Sequence, residues 1–179
     1  AAVELVGSMI IRQAKSNLAY SRITDFIEGT PEALLVIELV AQTEDELKAK
    51  FEELRNRINK GGWGYALIEM TDLKDQRKVW DFRKAGLGLL MNIPGDAKPI
   101  PFVEDTAVSP EKLPEFVRQF DRIVKSHGTE AGYYGHASVG CLHIRPIINL
   151  KTESGIEKMV NISDEISDLV LEFGGSLSG

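Results

Sequence analysis

The stretch from Gly132 to Asn149 constrains this chain more than any other. Two runs of alternating side chains flank a glycine, which reads as a hairpin and obliges the strands to pair antiparallel. A two-residue turn at Val139-Gly140 sets His136 opposite His143, Ala137 opposite Leu142 and Ser138 opposite Cys141. A four-residue loop around the same pairs is equally allowed. Residues two apart share a face, so one face carries Tyr134, His136, His143 and Arg145. The other carries Tyr133, Gly135, Ala137, Leu142 and Ile144, mostly small or apolar. Such a hairpin suits a back against a core and a front in a cleft. Two imidazoles side by side can share a divalent metal, with zinc favoured, although a third ligand must come from elsewhere. Two ordinary, partly buried histidines fit the same spacing.

The remaining segments alternate helices and strands. Glu4–Asn17 reads as a helix with Leu5, Met9, Ile10 and Gln13 near one face, and Leu18–Ile27 as the start of a second. Ala33–Gln42 reads as a buried strand. Thr43 and Glu46 form a capping box for a helix over Glu44–Asn59, which Gly61-Gly62 ends. Tyr65–Met70 is a short strand. Thr71 or Asp72 caps a helix to about Leu90, and Ile100–Glu104 is a third strand. Ser109-Pro110 opens a helix that stops at His127-Gly128. After the hairpin, Ile156–Phe173 forms a final amphipathic helix. The pattern predicts an α+β fold: a largely antiparallel sheet with helices packed on one side, arranged as two ferredoxin-like halves. The 179 residues suffice for one domain.

Charge and composition exclude several functions. The 21 basic and 27 acidic residues leave a net charge of −6 without a basic cluster, which argues against a nucleic-acid partner. Apolar runs such as Ala33–Ile37 are too short for a transmembrane segment. Ala1-Ala2-Val3-Glu4 has neither the basic nor the apolar region of a signal peptide. The single cysteine, Cys141, excludes an internal disulfide and fits a cytoplasmic location.

Other polar residues offer two readings each. Trp80 and Arg83 share a helix face, where an arginine beside an aromatic can grip a carboxylate, but the basic run Arg77-Lys78 to Arg83-Lys84 favours a solvated arginine. Glu104-Asp105, a pair of acids that can be catalytic, reads first as a turn cap before the Ser109 helix. His127 reads as a helix-terminal histidine, and Cys141 as inert.

Three blocks carry a family resemblance: Phe102-Val103-Glu104-Asp105-Thr106-Ala107-Val108 with Pro110 and Leu113, Tyr134-Gly135-His136 through His143, and Phe173-Gly174-Gly175-Ser176-Leu177-Ser178-Gly179. In order and spacing they resemble the FAD-linked oxidase C-terminal (cap) domain. That domain occurs in the glycolate oxidase D-subunit, D-lactate dehydrogenase and D-2-hydroxyglutarate dehydrogenase group of the vanillyl-alcohol-oxidase flavoprotein superfamily. The likeness runs from Pro31 to Gly179. The run from Trp80 to Leu90 resembles members that carry an additional iron–sulfur segment.

The resemblance implies a single substrate-binding cap domain over residues 1–179, a truncated fragment whose FAD-binding domain is absent. It implies an FAD-dependent oxidoreductase that converts a small D-2-hydroxy acid to the 2-oxo acid. His136 and His143 would bind zinc, and Arg83 would hold the substrate carboxylate. The family's third metal ligand, a glutamate, and the adjacent histidine base would lie beyond Gly179, leaving the fragment alone inactive. The partners implied are the acid substrate, the FAD-binding domain of the same polypeptide, and an iron–sulfur segment or subunit as acceptor. A location at the inner face of a membrane is also compatible.

The sequence departs from the family at Ser138-Val139-Gly140-Cys141, where many relatives carry Gly-Asp-Gly-Asn, and at Val103, where some carry lysine. Arg145 stands where many carry asparagine; it would bind a second substrate carboxylate or fill that space. The alternative reading is a non-catalytic, ferredoxin-like module that binds metal or ligand at the same hairpin.

Overall fold

A computed structural model describes residues 2–178. The sequence expectation that ends on Gly179 therefore lies, at that residue, outside the described part. The elements are β1 (Ala2–Gly7), α1 (Ser8–Ser16), β2 (Ala33–Glu38), α2 (Glu44–Gly61), α3 (Leu73–Met91), β3 (Lys98–Pro99), β4 (Thr106–Ala107), α4 (Leu113–Ser126), β5 (Ala131–His136), β6 (Cys141–Ile148) and α5 (Glu153–Glu172). The strands form one antiparallel sheet in the order β2-β1-β5-β6-β3, with β4 beside β6. This is the α+β class expected.

The hairpin back carries the larger core. Leu142, Ile144 and Ile148 of β6 pack with Phe116, Phe120 and Val124 of α4 and with Ile162, Ile166, Leu169 and Val170 of α5. The one-sided helical cover describes α4 and α5. A second core on the opposite face joins Val6, Ile10, Phe82, Leu89, Leu90 and Tyr134, so α1 and α3 cover one end of that face. The polar front of the hairpin occupies the rest.

Six local expectations differ from the structure. Leu18–Ile27 holds only a 3-10 turn at Ser21–Ile23, and the strand expected to be buried, Ala33–Glu38, is at the sheet edge with no buried residue. Glu4–Asn17 is not one helix: Ala2–Gly7 is a strand, and the helix starts at Ser8. β1 is paired on both edges, by β2 and β5, and that ladder overrides a weak helical periodicity. Tyr65–Met70 forms no strand; residues 61–69 are exposed, and no neighbouring strand supplies a ladder. Ile100–Glu104 pairs only at its start, where the Ile100 N–H donates to the Pro146 carbonyl at 3.0 Å. Ser109-Pro110 makes a turn, and the helix begins at Leu113 with Pro114 in its first turn. The Thr43 cap of α2 is as expected, with its side chain accepting from the Glu46 N–H.

Candidate functional site

The hairpin turn differs from the tight form. Residues 137–139 make a 3-10 turn closed by Gly140 in the left-handed region at φ 71°. A side chain there would drive a Cβ to 1.8 Å from the Val108 carbonyl oxygen, so only glycine fits. The longer turn shifts the ladder by two residues: His136 faces Cys141, and Tyr134 faces His143. The expected pairing of His136 directly opposite His143 is corrected to a diagonal one. A shift of two preserves parity, so both histidines stay on one face. Their ring centroids are 5.3 Å apart. Gly135, at φ 134°, permits the close approach, since a Cβ there would lie 3.0 Å from the His143 backbone nitrogen.

The arch between β3 and β4 completes this face. β3 pairs with Ile147–Ile148 and β4 with Cys141–Leu142, so residues 100–105 span the four β6 residues 143–146. The two extra residues lift the chain off the ladder. Asp105 sits in the left-handed region at φ 59°, an uncommon conformation for a side chain other than glycine. Glu104 and Asp105 are thereby placed against His143 and Arg145, not in the turn-capping role expected for them.

Glu104 is clamped. Arg145 Nε donates to its Oε1 at 2.9 Å and Nη2 to its Oε2 at 2.7 Å, a two-bond fork. The Tyr134 hydroxyl donates to the same Oε1 at 3.1 Å. Burial, with Arg145 and Glu104 as opposing charges nearby, pushes the Tyr134 hydroxyl up to about 12, so it remains a donor. The Tyr134 ring lies 4.9 Å from the His143 ring and 5.4 Å beneath the Arg83 guanidinium.

A second carboxylate serves the other half. Glu4 lies directly across from His136 in the β1–β5 ladder. Its Oε1 is 2.8 Å from His136 Nδ1, while its Oε2 accepts from Arg83 Nε at 2.9 Å and lies 2.7 Å from Nη2. Burial pushes the Glu4 carboxyl up, yet His136 and Arg83 together outweigh it, and its pKa is lowered. Glu4 is therefore an ionised, nearly buried anion that is fully partnered.

All five expected residues, Arg83, Tyr134, His136, His143 and Arg145, meet on this face. Glu4, Glu104 and Asp105 belong there too. Glu4 had been read as the start of a helix, although a lone acid amid Val3, Leu5 and Val6 was a signal. The adjacent acids closing a strand were the signal for Glu104 and Asp105. Cys141 lies on the same side of the ladder, and burial followed by the Asp105 charge pushes its thiol up, in keeping with an inert cysteine. His127 stays outside the site, with Nε2 2.7 Å from Glu165 of α5.

The donor set suits a divalent cation. One ligand atom each from Glu104, Asp105 and His143 lies within 4.8 Å of the others. His143 Nδ1 lies 3.5 Å from Glu104 Oε1 and against Asp105 Oδ1. Neither His143 Nδ1 nor Asp105 Oδ1 has a hydrogen-bond partner, though both atoms are buried. The two atoms face each other in a charge contact that misses hydrogen-bond geometry, and a cation shared between them would satisfy both. His136 is outside this triad, with its Nδ1 taken by Glu4.

The antiparallel α+β sheet thus gathers two arginines, two histidines and three carboxylates on one patch. The family model for FAD linked oxidases, C-terminal domain, matches residues 1–179, and the chain belongs to that family. It is 33% identical over 188 residues to a D-2-hydroxyglutarate dehydrogenase of Pantoea ananatis (strain AJ13355) and 32% over 188 to one of Escherichia coli (strain K12). It is 30% identical over 192 residues to one of Haemophilus influenzae. Each match covers 99% of this chain and 18% of the relative, so the chain spans less than a fifth of these proteins. Among the described residues, no helix is long and apolar enough to cross a membrane.

Proposed function

We propose that this chain is the substrate-side domain of a larger FAD-dependent dehydrogenase that oxidises a D-2-hydroxy acid, of 2-hydroxyglutarate type, to the 2-oxo acid. The FAD-binding domain would be a separate part of the same polypeptide. The observation that carries the reading is the pair of arginines flanking the histidines on one sheet face. A 2-hydroxy diacid has two carboxylates to hold, and the relatives' name points to such a substrate.

Each arginine is fixed by one edge and offers another. Arg83 and Arg145 spend Nε and Nη2 on Glu4 and Glu104. A guanidinium has five N–H donors; Arg145 Nη1 also donates to Met91 Sδ at 3.9 Å, which leaves it one Nη1 and one Nη2 hydrogen for a ligand, and Arg83 both Nη1 hydrogens and one on Nη2. Arg83 would take the carboxylate next to the hydroxyl, and Arg145 the distal one. Tyr134, protonated, braces Glu104 and lies against His143. Held at both ends, the acid keeps its C2 face fixed toward the flavin domain.

His136 and His143 would hold a divalent metal, with Glu104 and Asp105 beside His143; nitrogen and oxygen donors of this kind favour zinc. The bound metal would supply Lewis-acid polarisation of the hydroxyl, and FAD the oxidising power. Arg83 and Arg145 would add positive charge that favours the deprotonated hydroxyl, while Glu4 and Glu104 hold them in place. An iron–sulfur segment would be the acceptor only on the resemblance of the run from Trp80 to Leu90 to members that carry one, and the lone Cys141 would suit a reducing, cytoplasmic setting.

The test uses the intact flavoprotein. The double variant Arg145→Met with Glu104→Gln avoids leaving a buried charge unpaired. Its kcat/KM for D-2-hydroxyglutarate should fall on the order of 100-fold, as expected when a two-bond carboxylate contact is lost. Its kcat/KM for D-lactate should match that of Glu104→Gln alone, which reports any loss at the metal. Losses beyond that single variant that are equal on both acids would remove Arg145 from substrate recognition.

A further inference from the structure

The two halves of the site meet at Glu4. This single carboxylate sits between a residue proposed to bind metal and one proposed to bind substrate. Its two oxygens are divided between them, Oε1 to His136 and Oε2 to Arg83. It reaches both because β1 runs beside β5, with Glu4 and His136 in register, while α3 carries Arg83 over the same face. The Glu4 side chain is 10% exposed, whereas that of His136, at 48%, is open on its far side.

We propose that Glu4 is a positioning residue that fixes His136 in the Nδ1–H form, leaving Nε2 as its free ligand atom, and aligns Arg83 with it. An ionised carboxylate only accepts hydrogen bonds, so the nitrogen 2.8 Å away must carry the proton. A neutral imidazole has one N–H, and its other nitrogen is then a lone pair. Carboxylate–histidine pairs of this kind orient histidines that bind metals. The same anion holds the Arg83 fork, so the spacing between metal and carboxylate subsites is set by one side chain. The role in metal binding rests on the reading proposed above for His136; the histidine form itself does not.

Glutamine at position 4 makes the distinction sharp. Its amide offers one oxygen and one NH2. Arg83 has only donors and takes the oxygen, which turns the NH2 toward His136 Nδ1. That nitrogen must then accept, and the ring should switch to Nε2–H.

The experiment is 15N–1H correlation of the imidazoles in the metal-free, 15N-labelled 179-residue chain, at a pH where the rings are neutral. Its three histidines make assignment direct. His136 should be mostly Nδ1–H in the natural sequence and mostly Nε2–H in Glu4→Gln. His127, which meets Glu165 through Nε2, should stay unchanged as the internal standard. Zinc should move the His136 Nε2 signal, and its affinity should fall about 10–100-fold in the variant. A His136 that is Nε2–H in the natural sequence overturns the proposal, even where the variant does not fold. So does a folded variant with an unchanged ring. The expected tautomers without any zinc response at Nε2 would instead sink the metal reading and support the positioning role of Glu4.

Discussion

The two faces of the β5–β6 hairpin share a backbone and differ in what holds them. The back is sealed by apolar packing: Leu142, Ile144 and Ile148 are 0–1% exposed against α4 and α5. The front is held by charge, through Glu4 to Arg83 and His136, and Glu104 to Arg145 and Tyr134. Apolar packing is non-directional and scales with the area removed from water. The front must meet donor with acceptor atom by atom, because a buried carboxylate is tolerated only when paired. Residues of one parity therefore supply stability, and those of the other supply a preset arrangement of charge.

Substitutions on the two faces should separate these roles. His143→Ala in the intact flavoprotein should lower kcat on the order of 10³-fold, the scale of losing metal assistance worth several kcal/mol. Its thermal midpoint should shift little; a large drop in the midpoint would merge the two faces into one structural unit. On the back, Phe120, fully buried, lies 5.9 Å from Phe116 and 6.3 Å from Tyr133, ring to ring. Phe120→Ala should destabilise the chain by about 3–5 kcal/mol in urea unfolding. The folded fraction should keep its His136 tautomer.

Smaller effects test the front alone. Glu104→Gln retains an acceptor but leaves Arg145, its side chain 11% exposed, without a counter-charge. A loss of about 1–3 kcal/mol is expected in the same unfolding assay. No loss would mean that Arg145 finds another anion. The smallest effect concerns acid. The Glu4 pKa is lowered from 4.5 in the folded chain, so its stabilisation is complete above that value and is lost as pH falls through the folded one. Glu4→Gln should therefore flatten the acid limb of a urea-midpoint series from neutral pH downward, while leaving its shape above pH 5 to 6 unchanged. An acid limb as steep as in the natural sequence would assign it to other carboxylates.

Parity explains why so much of the site could be read in advance. The alternation around Gly140 put Tyr134, His136, His143 and Arg145 together, and the two-residue slip of the ladder left that grouping intact. A slip of one would have scattered them. Arg83 joined through the family likeness alone, since its basic helix run favoured a solvated side chain. The carboxylates were harder, since each depends on a segment whose local signal misleads. Glu4 sits in a run with weak helical spacing that becomes a central strand only because β2 and β5 pair with it.

The amino-acid order alone settled which side chains share the hairpin front, where α2 and α5 lie, and which apolar residues form the back, since these follow from periods of 2 and 3.6 within a segment. What only the assembled sheet decided was the partner of each charge. Glu4 meets His136 across a ladder 132 residues apart in sequence, and Glu104 reaches Arg145 because an arch two residues longer than its neighbour must leave the plane. Local periodicity is blind to such pairings; they arise from register between strands that the chain brings together only on folding.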